Sequence, residues 1–301
     1  MADLMPYDDR DGVIWWNGEL VPWRDAKLHV LSHGLHYASA VFEGERAYNG
    51  VVYKLTEHSQ RLIDGGRELD FEIPYSVEEI DQATRDVVAA NGFSDCYVRP
   101  IAWRGSEMMG VSAQKTKINL AIAAWEWGSY FPIEQRLKGI RVRWAKYRRP
   151  DPMTAPSCTK AAGLYMIGTL EKHRAEREGY AEALMLDWRG QVAECTSGNI
   201  FFVKDRTLHA PLPDCFLDGI TRRTVMKLAE ARGIETIDRV IMPDELADFD
   251  ECFMVGTAAE VTPIAEVGEY TFTPGEVCRT LLEDYMAEVQ PSAAAPADAA
   301  E

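Results

Sequence analysis

Lys160 stands in a run of small residues, Thr159-Lys160-Ala161-Ala162-Gly163. Small neighbours leave room for a bulky group over the side-chain amine, and a lysine that is removed from water loses its charge readily, as imine formation requires. An ordinary surface lysine is the alternative interpretation of such a run. The pattern by itself leaves both interpretations open.

Two glycine-containing segments have the composition of anion-binding sites. Gly219-Ile220-Thr221 opens a predicted helix, where free backbone N–H groups and the Thr221 hydroxyl could bind a phosphate. Gly256-Thr257-Ala258-Ala259 follows a predicted strand and could present a second group of backbone amides. An ordinary capped helix and a tight turn are the alternative interpretations.

Charged side chains stand at three further places. Glu194 ends a short predicted strand, where its carboxylate could pair with a protonated ring nitrogen or lie in solvent. Tyr97 and Arg99 share one strand face because side chains alternate with a period of two, so Arg99 either binds a carboxylate or pairs internally. His33 and His36 have the spacing of two metal ligands on one helical face, but no third ligand stands nearby. We therefore expect no metal site.

The elements that must position these residues are helices and strands in irregular order. Two Asn-Gly pairs, at 17–18 and 49–50, predict hairpins. Helices are predicted at about 56–69, 76–91, 160–178, 220–232 and 274–289. Strands are predicted at 97–103, 118–124, 140–144, 251–255 and in a meander of 183–187, 192–194 and 199–203. This mixture favours two α/β or α+β domains over a single barrel.

The domain boundaries follow from the same pattern. We expect a smaller N-terminal α/β domain at 1–130, a connection at 131–139 and a larger C-terminal domain at 140–290, which carries Lys160. The tail at 291–301 contains only Ala, Pro, Ser, Asp and Glu, and it is predicted to be disordered because it cannot bury a core.

Composition excludes several classes of protein. The 301 residues are 47% hydrophobic and 27% charged, which is typical of a globular chain rather than a disordered one. The net charge of −16 disfavours nucleic acid as a partner, and no apolar run approaches a membrane span. The six cysteines form no C-x-x-C pair, and the acidic N-terminus does not look like a signal peptide. We expect a cytoplasmic protein that binds no membrane.

Taken in order, these segments and others resemble the fold type IV family of pyridoxal-phosphate enzymes, and most closely the branched-chain amino-acid aminotransferases. The segments that carry the resemblance span about residues 13 to 290. They are Leu31-Ser32-His33-Gly34-Leu35-His36-Tyr37, Val41-Phe42-Glu43-Gly44 with Arg46, Glu57-His58-Ser59-Gln60-Arg61-Leu62, Tyr97-Val98-Arg99-Pro100, Met109-Gly110-Val111, Ala123-Ala124-Trp125-Glu126-Trp127-Gly128, Lys160-Ala161-Ala162-Gly163 with Tyr165, Asn199-Ile200-Phe201, Gly219-Ile220-Thr221-Arg222 and Gly256-Thr257-Ala258-Ala259-Glu260-Val261-Thr262-Pro263.

The resemblance implies a role for each matching residue. Lys160 would be the catalytic residue, which forms an imine with pyridoxal 5′-phosphate and moves protons. The cofactor-binding residues would be Arg61, Ile220, Thr221 and Thr257 at the phosphate, Glu194 at the ring nitrogen and Tyr165 at the phenolic oxygen. The substrate-binding residues would be Phe42, Gly44, Arg46, Tyr97, Arg99, Trp127, Tyr130, Ala258 and Ala259. Such a site has the three parts that this cofactor needs: an amine, an acid opposite the ring nitrogen and an anion site.

The implied reaction is the transfer of an amino group between leucine, isoleucine or valine and 2-oxoglutarate, in a homo-oligomer with a dimer as its minimal unit. One loop departs from the family pattern: Cys195-Thr196-Ser197-Gly198-Asn199 stands where many branched-chain enzymes have Gly-Ser/Thr-Gly-Glu-Asn. A D-amino-acid or R-amine transaminase and an aminodeoxychorismate lyase would keep the same lysine, acid and arginine. A non-catalytic protein that binds a phosphate ligand is the alternative from another class.

Overall fold

Helices form where apolar residues recur at helical spacing. The computed structural model describes residues 5–127 and 138–290. Its α-helices over these residues are α1 His33–Tyr37, α2 Leu55–Glu68, α3 Val77–Asn91, α4 Tyr165–Arg177, α5 Ile220–Ala231 and α6 Glu276–Val289. The start of α3 is a capping box, in which the Ser76 hydroxyl accepts from the Glu79 N–H and the Glu79 carboxylate accepts from the Ser76 N–H. Gly92, with a φ of 70°, ends this helix as the sequence predicts.

The strands of the described residues form two sheets. The first consists of β1 Val13–Trp16, β2 Glu19–Pro22, β3 Ala40–Phe42, β4 Glu45–Tyr48, β5 Val51–Val52, β6 Cys96–Arg104 and β7 Ile118–Glu126. All pairs in this sheet are antiparallel, in the order β2-β1-β7-β6-β4-β5, and β3 also pairs with β6. Both predicted hairpins are confirmed, because Asn17-Gly18 and Asn49-Gly50 adopt positive φ between β1 and β2 and between β4 and β5.

The second sheet mixes parallel and antiparallel pairs. It consists of β8 Ile140–Trp144, β9 Glu182–Leu186, β10 Val192–Cys195, β11 Asn199–Lys204, β12 Thr207–Pro211, β13 Thr236–Arg239, β14 Glu251–Gly256, β15 Glu260–Val267 and β16 Tyr270–Thr271. Its order is β10-β9-β8-β15-β14-β11-β12-β13, and β16 pairs with β15. The structure is therefore a mixed α+β fold with two sheets, which confirms the predicted fold class.

Two predictions about the second half are wrong. The helix predicted from Lys160 begins only at Tyr165, because Lys160 and Ala161 are extended: the Phe42 N–H donates to the Lys160 carbonyl at 3.2 Å, and Ala161 bridges Val41. The predicted meander also breaks, since β10 pairs with β9 whereas β11 lies between β12 and β14. Strands β12, β13, β15 and β16 were not predicted.

Each sheet buries apolar side chains beneath its own helices. In the first, Leu62 of α2 and Ile80 of α3 belong to the same core as Val98 and Leu120 of β6 and β7. In the second, side chains of α5 and α6 pack on the central strands β11 and β14; the members of this core include Val225, Leu281, Tyr285, Phe201 and Phe253. The hydrogen bond from β3 to Lys160 joins the two halves next to that lysine.

The first sheet uses residues 13–126 and the second uses residues 140–271. The boundaries at 1–130 and 140–290 stay a prediction. Tyr130, residues 131–137 of the predicted connection and the predicted tail at 291–301 lie outside the described residues. Within the described part, no helix combines the length and the apolar character that crossing a membrane requires.

Candidate active site

A cavity of about 600 Å³ lies where β3 of the first sheet meets the segment that carries Lys160. This volume is within the usual range for a small-molecule site. Of the predicted site residues, those lining the cavity are Phe42, Gly44, Arg61, Tyr97, Arg99, Trp127, Lys160, Tyr165, Glu194, Ile220, Thr221, Thr257 and Ala258. The chain thus brings most of the predicted residues to one place from both sheets.

Lys160 projects its amine into an aromatic setting. Its Nζ donates to the Tyr165 hydroxyl at 2.9 Å and lies 5.2 Å from the centre of the Phe42 ring. Burial acts to lower the pKa of Lys160, but Tyr165 and the Glu43 carboxylate outweigh it, so that the pKa is raised above its ordinary value. The direction of this shift is opposite to the sequence-based expectation of a lysine that loses its charge readily.

An arginine with one free nitrogen group lines the same cavity. Arg61 on α2 donates from Nε and Nη2 to the two carboxylate oxygens of Glu43, both at 2.7 Å, while its Nη1 is buried without a hydrogen-bond partner among the described residues. His58 Nδ1 lies 2.7 Å from the same carboxylate. Burial opposes ionisation of Glu43, but Arg61 and His58 hold the pKa of that carboxyl below its usual range. The pair fixes the guanidinium and leaves Nη1 available for an anion.

The start of α5 faces the cavity beside this arginine. Gly219 is the N-cap residue and provides no side-chain cap, so the first amides of the helix have no side-chain acceptor there. A Cβ on Gly219 would lie 2.3 Å from Asn199 Oδ1, which explains a glycine at this position. Ile220, Thr221 and Thr257 line the cavity. Together with Arg61 Nη1, these groups have the donor set that a phosphate monoester requires.

Glu194 is the acid of the site. Its Oε1 lies 3.3 Å from Arg149 Nε, and its Oε2 accepts from Asn199 Nδ2 at 3.4 Å. Burial raises the pKa of Glu194 to about 7, against the opposing charges of Arg149 and Lys160. Sequence reasoning missed Arg149, because nothing in its local sequence links it to a carboxylate on a distant strand.

The predicted substrate residues form an aromatic wall with one cation. Arg99 donates from Nη2 to the Tyr97 hydroxyl at 2.9 Å, and its guanidinium stands 4.7 Å from the Phe42 ring centre. Its Nε is buried and has no hydrogen-bond partner in the part of the chain that the structure describes. The Trp127 ring lies 5.2 Å from that of Tyr97. Gly44 makes room for this arrangement, since a Cβ there would lie 2.1 Å from the Tyr97 hydroxyl oxygen.

Two predicted substrate residues are not among those that line the cavity. Arg46 Nη1 donates to the buried Glu260 carboxylate at 2.9 Å, and its guanidinium stacks over Tyr48. Ala259 is buried next to Ala258, which does line the cavity. Internal pairing with Glu260 thus explains why Arg46 does not reach the cavity.

The remaining sequence features have structural contacts. His33 bonds through its two ring nitrogens to Ser39 Oγ at 2.6 Å and Gly110 O at 2.7 Å, and His36 Nε2 donates to Val30 O. In the departing loop at 195–199, the hydroxyls of Thr196 and Ser197 both donate to the buried Glu182 carboxylate. An acid from β9 therefore anchors this loop, which lines the cavity through residues 196–199.

Residues 40–267 match the family described as Amino-transferase class IV. The chain belongs to this family. It is 43% identical to the branched-chain-amino-acid aminotransferase of Pseudomonas aeruginosa over 267 residues, which cover 87% of each chain.

Solved structures agree with this assignment. The branched-chain amino acid aminotransferase of Escherichia coli matches with a TM-score of 0.90 and 37% identity, over 93% of this chain and 95% of that one. The branched-chain aminotransferase of the archaeon Thermoproteus uzoniensis, solved with norvaline, matches with a TM-score of 0.89 and 35% identity, over 93% and 95%. A further branched-chain amino acid aminotransferase, complexed with N-(5′-phosphopyridoxyl)-L-glutamate, matches with a TM-score of 0.88 and 38% identity, over 93% and 94%. The predicted family and fold type IV architecture are confirmed.

Proposed function

We propose that this class IV aminotransferase moves amino groups between leucine, isoleucine or valine and 2-oxoglutarate. The observation that carries the proposal is an aromatic cavity lined by a lysine amine and by an arginine, Arg99, whose buried Nε has no hydrogen-bond partner among the residues described. The named substrates of the P. aeruginosa and E. coli relatives support the same reaction.

Pyridoxal 5′-phosphate is the cofactor, in keeping with the phosphopyridoxyl-glutamate adduct in the solved relative. When bound, it supplies an aldehyde that combines with amines and a ring that withdraws electrons from the substrate Cα. Lys160 provides the amine for that aldehyde and moves the proton at the substrate Cα. Arg61 and the amide of Ile220 bind the phosphate, and Glu194 holds the proton on the ring nitrogen.

The walls of the cavity select the substrate side chain. Phe42, Tyr97 and Trp127 offer apolar surface, and each methylene buried there contributes about 0.8 kcal/mol. Branched chains should therefore bind better than alanine. Glutamate must place a second carboxylate in the same pocket, and the buried Nε of Arg99 is a donor without a partner in the described structure.

The oligomeric state that we propose is a homodimer. Exposed apolar side chains gather on two segments, which we call the apolar rim: Leu28, Val30, Leu31, Leu35, Tyr37, Met109 and Val111. The two segments touch through the hydrogen bond between His33 and Gly110 O. Exposed apolar patches of this kind are typical of protein interfaces, and a second copy of the chain is the occupant we propose. Light scattering that gave a mass of 33.8 kDa, that of one chain, would contradict it.

A cytoplasmic location is supported by the cysteines. All six are free thiols, and five of them are buried. Chains that fold in oxidising compartments more often pair their cysteines.

A donor screen tests the reaction. With 2-oxoglutarate as acceptor, leucine, isoleucine and valine should each give a higher kcat/KM than alanine, by roughly tenfold or more because two to three extra carbons are buried at about 0.8 kcal/mol each. Conversion of D-alanine or an R-amine, with none of L-leucine, would refute the branched-chain assignment and leave the lysine chemistry standing. Absence of any amino transfer, with phosphate-ligand binding retained, would favour a non-catalytic binding protein.

The variant Arg99→Leu separates the two halves of the reaction. It should reduce kcat/KM for the glutamate half-reaction by roughly tenfold to a hundredfold, the value of one charge-assisted hydrogen bond. The leucine half-reaction should change much less, because leucine has no second carboxylate. Each half-reaction can be followed separately by the absorbance of the bound cofactor. An equal loss in both would show that Arg99 serves a carboxylate common to all substrates.

A further inference from the structure

Arg149 is a buried cation to which the proposed reaction, as described above, assigns no role. It lies on the segment between β8 and Lys160, where its N–H donates to the Leu186 carbonyl at 2.8 Å. Its Nη2 donates to the Ser157 carbonyl at 3.2 Å, and the side chain is 9% exposed. The guanidinium is thus fixed from two directions, by its own backbone and by Ser157.

Among the described residues, the ion-pair partner of the Arg149 guanidinium is the Glu194 carboxylate. Nε lies 3.3 Å from Glu194 Oε1 and makes no hydrogen bond. Ionising a carboxyl group that is removed from water, as that of Glu194 is, costs free energy unless a cation lies next to it. Arg149 supplies that cation from a segment of chain separate from β10, which carries Glu194.

Among the described residues, few charged or titratable groups act on Glu194. Arg149 and Lys160 favour its ionised form, and the neighbouring thiol of Cys195 is buried, with a pKa that burial raises. Asn199 provides a neutral amide. Lys160 loses its positive charge when its nitrogen forms an imine with an aldehyde, unless that nitrogen is protonated again. Arg149 keeps its charge throughout, because a guanidinium does not deprotonate in proteins.

We propose that Arg149 is a positioning residue whose charge favours the ionised form of Glu194, so that Glu194 can hold a proton on the cofactor's ring nitrogen. The effect on the cofactor's ring nitrogen rests on the proposed function. The effect of Arg149 on the ionisation of Glu194 does not depend on it. With the charge of Arg149 removed, Glu194 should take up a proton itself and lose its hold on the ring.

The pH dependence has a definite sign. The pKa of Glu194 is about 7 with Arg149 present. An opposite charge within about 4–6 Å lowers the pKa of a carboxyl by roughly 1–3 units. Arg149→Met should therefore move the midpoint of Glu194 ionisation to higher pH by about that amount. Arg149→Lys keeps a charge and should move it by less than about one unit.

The apoprotein gives a readout that needs no activity. The infrared band of the protonated Glu194 carboxyl is obtained by subtracting the spectrum of Glu194→Gln at each pH. This subtraction also removes the band of Glu45, a second buried carboxyl whose pKa is raised by burial. Arg148→Met is the matched control, because Arg148 is exposed and its Nη1 contacts only the Trp188 carbonyl among the described groups.

Arg148→Met should keep the wild-type midpoint of Glu194 ionisation, whereas Arg149→Met should raise it. The pH below which the affinity for the cofactor falls should rise by the same amount in Arg149→Met. Arg149→Gln, which can still bond to Ser157, provides a second neutral variant should Arg149→Met fail to fold. Neutral variants at 149 with the wild-type midpoint would overturn the proposal. A protein that failed the donor screen but showed the shifted midpoint would refute the proposed function and leave this inference standing.

Discussion

Lys160→Ala should abolish amino transfer while leaving the fold and the phosphate site in place. The alanine variant loses both the amine that combines with the cofactor aldehyde and the group that moves the Cα proton. Proton transfer alone contributes about 10²–10⁴-fold to rates of this kind, so a loss of at least that size is expected in kcat. The violet absorbance of the lysine-linked cofactor should disappear, although phosphate donors such as Arg61 Nη1 remain.

Reduction of the wild-type holoenzyme with borohydride, followed by peptide mapping, identifies the lysine directly. Lys160→Arg is the matched control, because it keeps the cation beside Tyr165 and Glu43 but cannot form the link. It should be as inactive as the alanine variant. Lys172 lines a small side pocket that shares Tyr165 with the cavity, and it is therefore a competing amine. A reduced cofactor attached to Lys172 would refute the assignment of Lys160.

The sequence predicts an element correctly where residues close together in the chain determine its structure. The helix predicted at 76–91, which begins with the capping box of Ser76 and Glu79, and the two predicted Asn-Gly hairpins need only contacts within a few residues. The helix expected from Lys160 was wrong because the extended backbone there depends on β3, more than a hundred residues away in the chain. Strand β15 was not predicted, since its buried Glu260 and Thr262 conceal the apolar pattern.

The same distinction applies to the site. Lys160, Glu194 and the start of α5 are recognisable from their settings and from the order of family motifs. Arg46 was expected at the substrate from its motif, but its charge is taken by Glu260, a partner that no local pattern reveals. Arg149 was missed for the same reason, because only the fold places it beside Glu194. Charge pairs between distant segments are what the sequence does not disclose.

Arg61→Ala should weaken binding of pyridoxal 5′-phosphate by about 2–5 kcal/mol, or roughly 30-fold to several thousandfold. The loss has two possible sources, since Arg61 both faces the phosphate site and neutralises Glu43, which is 1% exposed. An unpaired carboxylate at that depth costs several kcal/mol of folding free energy. Arg61→Ala alone should therefore lower the thermal midpoint as well as the affinity.

The double variant Arg61→Ala with Glu43→Gln separates these sources, because the neutral amide no longer needs a cation, although His58 still contacts position 43. Stability should return towards that of the wild type, whereas cofactor affinity should stay low. Pyridoxal, which has no phosphate, sharpens the comparison: the double variant should bind it about as well as the wild type does. If the double variant regained its affinity for the phosphate form, Arg61 would serve only to neutralise Glu43. The phosphate would then depend on the amides of Ile220 and its neighbours at the start of α5, whose strength as an anion site comes from unpaired N–H groups rather than from a full charge.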